Sequence, residues 1–256
     1  MEKEIDDLAI IGGLVVNSQQ TSRQDIYIKN GLIKEISADS TINRQAKQTI
    51  DASGKYVFPG FIDAHLHPVY ADYLDTISKA AACEGITTLI PYIGAVKAWG
   101  QEKNLRDTIE DFIEESNASS VVDYSIHCTI LQDDIKDSNE TIPKLIEKGI
   151  ISFKAFMAYS KRGMMLDDTD LIQIMKIIAT NGGILAAHAE NGAIIDYLEA
   201  FFTAKNQETP EYMAKSHPNL SEAEAIFRLL TLGSTTGCPI YIPHISASES
   251  LEVVRL

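Results

Sequence analysis

The stretch PGFIDAHLH, residues 59–67, joins an apolar run to two histidines at its end, and this combination recurs along the chain. Three further stretches also place an ionisable residue in or after an apolar run: FKAFMAY (153–159), AAHAENG (186–192) and YIPHIS (241–246). Side chains at the C-terminal ends of successive parallel strands converge on one point, which is how a (β/α) barrel builds a site. The sequence therefore predicts an α/β fold with its functional residues at strand ends.

Apolar runs alternate with helical patterns over most of the chain. The runs lie near residues 56–64, 86–93, 121–130, 150–158, 183–189 and 239–245. The helical patterns lie at Leu74–Cys83, Asn104–Glu115, Thr141–Glu147, Asp168–Thr180 and Glu222–Leu232. Continuous apolar strands that alternate with helices indicate a parallel sheet covered on both faces. Six such strands fit a (β/α)8 TIM-type barrel, with strands one to six present, better than a short open sheet.

Local signals predict where the helices begin and end. Asp167 or Asp168 is a candidate N-cap, and Ser221 with Glu224 three residues later has the capping-box pattern. Glycines at positions 85, 149, 182 and 237 each lie between a helix and the next strand, where a left-handed residue is expected. The long interval from 190 to 239, with a polar stretch at Lys205–Asn219, predicts an extra loop or helix over the barrel mouth.

Residues 1–54 have the pattern of a small β domain. Leu8–Val16, Asp25–Ile28 and Leu32–Ile36 are apolar or alternating, and Asn30-Gly31 is a strong hairpin turn between the last two. Because so few strands bury little apolar surface, this domain needs further strands to complete a β-sandwich. We therefore expect two domains, a small β domain at 1–54 and a barrel at 55–256.

Composition excludes several classes of partner. The net charge of −14 argues against nucleic acid and against an anionic membrane surface, since both require a basic face. The three cysteines are far apart in sequence, which favours buried, reduced thiols over disulfides or a cysteine-based zinc site. The N-terminus is acidic and carries no signal-peptide pattern. We expect a cytoplasmic protein.

His65 and His67 are candidate metal ligands. Residues two apart on a strand point to the same face, so both imidazoles can reach one ion. A lone H-x-H pair also occurs in ordinary polar loops. His188 and His244 follow apolar runs in the same way, although a single histidine in such a place is more often a core residue. His127 and His217 are weaker candidates and are left out of the site.

Lys154 lies inside the apolar run Ile150–Met157. Burial disfavours an unpaired ammonium and shifts a lysine towards the neutral amine. A neutral amine can react with carbon dioxide to give a carbamate, whose two oxygens suit a bridge between two cations. The alternatives are a lysine that reaches solvent or a buried salt bridge.

In this order and spacing, the four stretches, together with EAEAIFRLL (222–230), resemble the cyclic amidohydrolase family, and most of all its D-hydantoinase and dihydropyrimidinase branch. The resemblance covers essentially the whole chain. It implies a (β/α)8 barrel of the metal-dependent hydrolase superfamily, a binuclear zinc centre and a homo-oligomer, either dimer or tetramer. His65 and His67 would bind the more buried ion, and His188 and His244 the more exposed one. Lys154, as N6-carboxylysine, would bridge both.

The resemblance also implies a substrate class. Tyr159 matches a tyrosine that hydrogen-bonds the substrate carbonyl and the developing oxyanion, which favours hydantoinase over allantoinase. The expected reaction is hydrolysis of a C–N bond in a hydantoin or dihydropyrimidine ring, giving an N-carbamoyl amino acid. An allantoinase-like ureide hydrolase and a non-catalytic scaffold are the alternatives.

Three features depart from the family pattern. The loop PVYADYLD (68–75) lacks the arginine that dihydroorotases carry after H-x-H, which argues against an acidic substrate. LIPYIGA (89–95) stands where relatives usually have an aspartate. The family's catalytic aspartate after the eighth strand has no counterpart up to Leu256. We therefore expect residues 1–256 alone to be inactive.

Overall fold

The computed structural model describes residues 5–38, 44–68, 72–97 and 100–256. The chain forms two compact units, Met1–Phe61 and Ile62–Leu256. The loop after His67 is the one that lacks the arginine of dihydroorotases. Its residues 69–71 lie outside the described residues.

The first unit is a sheet built around one long strand. Its strands are β1 (Asp6–Val16), β2 (Thr21–Lys29), β3 (Leu32–Ser37), β4 (Ala46–Asp51) and β5 (Tyr56–Val57). The strand order is β3-β2-β1-β4, and β5 also pairs with β1. The predicted hairpin at Asn30-Gly31 is confirmed: both residues are left-handed, with φ of 52° and 75°, as a two-residue turn between twisted strands requires.

The apolar run predicted at 56–64 is divided between the two units, which corrects the single strand expected there. Tyr56–Val57 pairs in parallel with Leu14 and Val15 of β1. A separate strand, β6 (Phe61–Leu66), then enters the second sheet. Pro59 and Gly60 separate the two strands, since proline has no N–H to donate to a continuous ladder.

The second unit alternates strands and helices as predicted, except that the run near 121–130 is divided into two short strands. Its further strands are β7 (Ile86–Ile93), β8 (Asp123–Tyr124), β9 (His127–Thr129), β10 (Ser152–Phe156), β11 (Ile184–His188) and β12 (Ile240–Tyr241). Its helices are α1 (Leu74–Cys83), α2 (Leu105–Ser119), α3 (Ser138–Glu147), α4 (Asp168–Thr180), α5 (Gly192–Thr203), α6 (Pro210–Ser216), α7 (Asn219–Thr236) and α8 (Ser248–Arg255). The sheet order is β12-β11-β10-β9-β7-β6, with β8 paired to β7. The pairings from β7 through β12 are parallel. The sheet curls, as in a barrel.

The core of this unit lies where the sheet meets its helices. Phe153 and Leu185 from the strands pack with Ile142, Ile174 and Leu229 from the helices, and all five side chains are buried. Burying an aliphatic or aromatic side chain of this size contributes roughly 1.5–3 kcal/mol, so this layer is what holds the strands in place.

The predicted bounds of α1 and α4 are confirmed, whereas α2 ends at Ser119, later than predicted, α3 begins at Ser138, earlier than predicted, and α7 extends further at both ends. Asp167 caps α4 by accepting from the backbone N–H of Asp170, and the four glycines predicted to be left-handed all have φ between 73° and 90°. The capping box at Ser221 is incorrect, because α7 begins at Asn219 after Pro218 and Ser221 lies inside the helix. Glu224 instead accepts from Asn191 and Arg228.

The interval from 190 to 239 holds the helices α5 and α6 before α7. Asn191 caps α5 through its side chain, which accepts from the backbone N–H of Ile194. Cys128 and Cys238 are buried and unpaired as predicted, whereas Cys83 is exposed at the end of α1, which corrects the expectation of three buried thiols. Among the described residues, no helix is both long and apolar enough to cross a membrane.

Candidate active site

The C-terminal ends of the strands bring the predicted site residues together. His65 lies near the end of β6 and His67 follows that strand, while His188 is the last residue of β11 and His244 follows β12. Their rings form a continuous series with Tyr159. The distances between ring centroids are 5.3 Å for His67–His65, 5.1 Å for His65–His244, 4.9 Å for His244–His188 and 4.9 Å for His188–Tyr159.

Lys154 lies beneath this series of rings, in the middle of β10. Successive residues of a strand face opposite sides, so Phe153 and Ala155 pack into the core with the helices while Lys154 points the other way. Its Nζ lies 5.2 Å from the centre of the Tyr92 ring and 5.1 Å from that of Phe156. Aromatic faces stabilise a cation only weakly compared with a carboxylate.

Burial controls the charge of Lys154. The residue is 1% exposed, and no carboxylate of the described part of the chain pairs with its ammonium group. Burial alone lowers the pKa of Lys154 to about 7, because a low-dielectric environment disfavours the charged amine. A substantial share of this side chain is therefore the neutral, nucleophilic amine at neutral pH.

Three of these histidines, His65, His67 and His244, are also held in the neutral form. Burial, assisted by the nearby His65 and Lys154, lowers the pKa of His67 to about 4. Burial and Lys154 lower the pKa of His65 as well. The pKa of His244 is lowered by partial burial of the ring and then by Lys154, although the residue keeps an exposed edge. Neutral imidazoles keep a free lone pair, which is the form that binds metal ions.

Two residues of the ring series have left-handed backbones. Tyr159 has φ 69° and His244 has φ 46°, and neither is a glycine. Such conformations cost of the order of 1–3 kcal/mol and persist only where the surroundings enforce them. Gly192 contributes to this at Tyr159: its N–H donates to Met157 O at 3.2 Å, and a Cβ there would lie 3.0 Å from Ala158 Cα. The start of α5 therefore packs directly against the segment before Tyr159.

The first turns of α7 hold the loop that carries His244. Glu222 accepts from the backbone N–H groups of Ser246 and Ala247, at 3.1 and 3.0 Å, and from Ser246 Oγ at 2.6 Å. Burial acts to raise the pKa of Glu222, but these hydrogen bonds outweigh it and the pKa is lowered. Glu222 is therefore a charged acceptor that fixes the residues immediately after His244.

Carboxylates also contact His65 and His188. Asp63 Oδ1 accepts from the backbone N–H of His65 at 3.0 Å. His188 Nε2 lies 2.6 Å from Glu190 Oε2. An ionised carboxylate only accepts hydrogen bonds, so with Glu190 ionised the hydrogen of His188 is on Nε2 and its Nδ1 lone pair is the one available to a ligand.

Tyr92 is a site residue that the sequence analysis did not single out. Its ring lies 4.7 Å from that of His65 and 5.0 Å from that of His67. The side chain is 2% exposed, and burial raises the pKa of its hydroxyl, which has no hydrogen-bond partner among the described residues. The only signal was its place in LIPYIGA, where an aromatic residue stands in a stretch that differs from the family pattern.

His127 lies near the site but is not available to a metal. Both of its ring nitrogens are engaged, Nδ1 with Ser152 Oγ at 2.6 Å and Nε2 with Ala64 O at 3.1 Å. His217 lies at the end of α6, where it contacts Met213 O and Ser216 Oγ. Omitting both from the candidate ligands agrees with these contacts.

The donor chemistry of this cluster fits a binuclear divalent-metal centre. It offers imidazoles carried by or following three strands and a buried lysine without a counter-charge. Among the described residues, no three histidine, cysteine, aspartate or glutamate side chains form a complete ligand set by themselves. As a carbamate, Lys154 would add two oxygen donors to the imidazoles.

Comparison with known proteins shows what this chain resembles. It is 37% identical over 258 residues to a D-hydantoinase of Ralstonia pickettii, an alignment that covers 97% of this chain and 54% of the relative. A solved D-hydantoinase structure matches 97% of the chain with a TM-score of 0.85 at 36% identity, and covers 54% of that structure. An L-hydantoinase (dihydropyrimidinase) from Arthrobacter aurescens matches 98% of the chain with a TM-score of 0.83 at 29% identity, covering 55% of that structure. No family model matches.

The resemblance predicted from the motifs is confirmed by these matches, as is the barrel type of the parallel sheet. The chain spans about half the length of the curated relatives it matches, 54% and 53% for the first two.

Proposed function

We propose that this protein, a relative of the D-hydantoinases, is a metal-dependent hydrolase that opens a C–N bond of a cyclic amide or imide. The observation that carries the proposal is the cluster itself. Imidazoles from β6, β11 and the segment after β12 converge over a buried lysine whose pKa is lowered to about 7. A cluster of this kind is unfavourable for stability alone, since it places an uncompensated amine among polar rings.

Four histidines and one lysine would hold the metal. His65 and His67 would bind one divalent ion, His188 and His244 a second, and Lys154 would lie between them as a carbamate. We propose zinc, which nitrogen and oxygen ligands of this kind suit. When bound, the two ions would supply Lewis-acid chemistry, activating a water molecule and polarising a carbonyl group.

Lys154 would form the bridging ligand through a reaction with carbon dioxide. The neutral amine attacks the carbon of CO₂, an N–C bond forms as one C=O π bond breaks to give C–O⁻, and a water molecule takes the proton that leaves the nitrogen. The product is a carbamate anion with two oxygen donors. Burial supports this step, because it produces the neutral amine at physiological pH and excludes competing proton donors.

Tyr159 would stabilise the oxyanion that forms at the substrate carbonyl. Its ring lies 4.9 Å from that of His188, at the edge of the cluster. Its backbone has a left-handed conformation, which the surrounding structure must enforce before substrate arrives. A pre-positioned hydroxyl donor lowers the barrier because it needs no reorganisation as negative charge develops.

The remaining finer assignments are part of the same proposal. They are a hydantoin or dihydropyrimidine substrate, an N-carbamoyl amino acid product, a homo-oligomer and a full eight-stranded barrel. The small β domain, set at residues 1–54, would form one part of a sandwich. Support for the substrate class comes from the names of the relatives, which include both D- and L-hydantoinases.

The test combines metal content with substrate preference in the protein at its natural length. Purified protein expressed with zinc is expected to hold about two zinc ions per chain by elemental analysis. It should open hydantoin and dihydrouracil faster than allantoin or dihydroorotate. Less than half an equivalent of metal in folded protein, or faster turnover of dihydroorotate than of hydantoin, contradicts the proposal. The double variant His65→Ala/His67→Ala is the metal-poor control.

A further inference from the structure

His127 joins the strand that carries His65 to the strand that carries Lys154. It is 6% exposed, and its Nε2 lies 3.1 Å from the carbonyl oxygen of Ala64, the residue before His65. Its Nδ1 lies 2.6 Å from Ser152 Oγ, on the same face of β10 as Lys154. We propose that His127 is a positioning residue that sets the H-x-H segment against Lys154. This inference rests on the proposed function.

The hydrogen-bond chemistry fixes the state of the ring. A carbonyl oxygen only accepts, so Nε2 carries the hydrogen and Nδ1 accepts from the Ser152 hydroxyl. Burial lowers the pKa of His127, which favours this neutral form. Both nitrogens are used by the protein, so the ring can hold neighbouring segments but cannot bind a metal itself.

The contact to Ala64 links strands that the sheet leaves apart. The sheet order places β7 between β9, which carries His127, and β6, which carries Ala64. Ladder hydrogen bonds therefore join β6 and β9 only through β7. A direct bond from the His127 ring to the Ala64 carbonyl sets their distance independently, on the inner side of the curled sheet.

Ring stacking extends the same constraint to His67. The rings of His127 and Tyr92 stack at 4.4 Å with an interplanar angle of 18°. Tyr92 in turn stacks on His67 at 5.0 Å and 20°. His127 thus acts on the H-x-H segment twice, through the backbone before His65 and through Tyr92 against the ring of His67.

Three variants test the inference. His127→Phe retains a ring for the stack and removes both hydrogen bonds, and Ser152→Ala removes only the bond to Nδ1. Ile142→Val, in the fully buried core of α3, is the matched control for a general loss of packing. For each protein at its natural length we would measure the dissociation constant for Zn²⁺ by chelator competition, and the melting temperature without metal.

Zinc binding is expected to weaken about tenfold or more in His127→Phe, the effect typical of residues that orient metal ligands. Ser152→Ala should weaken zinc binding about threefold or more. Ile142→Val should bind zinc within about twofold of the unaltered protein, even if its melting temperature falls as much as those of the site variants. Affinities in both site variants within about twofold of the unaltered protein would overturn the positioning role. If His127→Phe does not fold, Ser152→Ala decides.

The two proposals fail in different ways. An unaltered protein that binds no zinc removes the proposed function and this inference with it. An unaltered protein that binds zinc, together with site variants that bind it equally well, removes only the role of His127.

Discussion

The imidazole rings of His65 and His244 lie 5.1 Å apart, although their strands stand at opposite ends of the sheet order. Five strand intervals of about 4.8 Å would separate them by roughly 24 Å in a flat sheet. The sheet must therefore curl until its first and last strands face each other across an interior. This curvature creates the site, since it brings histidines from the two ends of the second unit into contact.

Replacing Lys154 should remove metal and activity together. Lys154→Ala is expected to lose most bound zinc and at least about a hundredfold in turnover, because the bridging ligand is gone. Short carboxylic acids added to this variant should partly restore both, by supplying two oxygens in the vacated space. Metal content and hydantoin turnover are the measurements.

Lys154→Arg separates the carbamate from a simple positive charge. Guanidinium remains cationic and does not form a carbamate. An arginine variant that kept the zinc content and the rate of the unaltered protein would rule out a carbamate at this position.

Tyr159→Phe should act on catalysis rather than on metal binding. Removing a pre-positioned oxyanion donor typically lowers kcat about 10²–10³-fold, so we expect a loss of this size with zinc content unchanged. Tyr197→Phe is the matched control, because Tyr197 is 69% exposed on α5. A Tyr159→Phe enzyme with kcat within about threefold of the unaltered protein would show that the hydroxyl takes no part in the reaction.

Glu222→Ala should loosen the segment that carries His244. The change leaves two backbone N–H groups and one hydroxyl without their charged acceptor, so the free energy of unfolding should fall by about 1.5–3 kcal/mol. Zinc should bind more weakly too, since the left-handed backbone of His244 is no longer enforced. Denaturant unfolding and chelator competition measure the two effects.

Glu211→Ala is the control for Glu222. Glu211 forms an exposed ion pair with Lys215 on α6, and such pairs contribute at most about 1 kcal/mol. If Glu222→Ala lowered the free energy of unfolding no more than Glu211→Ala does, the hydrogen bonds from Glu222 to the His244 loop would not stabilise the protein.

His67 should make the metal-free protein less stable in mild acid. Its pKa is about 4 when folded and about 6.5 when unfolded, so between these values the unfolded chain binds the additional proton. Stability must then fall as the pH decreases from about 6.5 to 4, by about 1–2 kcal/mol from this residue after allowance for solvent screening. His67→Asn should flatten the pH dependence of the free energy of unfolding in that window. If the free energy of unfolding fell equally steeply with decreasing pH in His67→Asn and in the unaltered protein, this prediction would be contradicted.

Local sequence signals correctly predicted the helix ends and turns that depend on interactions between residues close in sequence. The bounds of α1 and α4 agree with their apolar periodicity, Asp167 caps α4, and Asn30-Gly31 forms its turn. The Ser221 capping box failed because Pro218 starts the helix earlier and Glu224 is engaged by Asn191 and Arg228, partners that no local pattern reveals.

The sequence by itself determined the candidate site residues. His65, His67, Lys154, His188 and His244 were identified from apolar runs with ionisable residues within or after them, because the direction of a parallel strand places its end at a common edge. Tertiary structure alone decided their distances, the burial that lowers the pKa of Lys154, and the contacts of Tyr92 and His127. Those depend on how far the sheet curls, which is set by packing between strands and helices remote in sequence rather than by any local pattern.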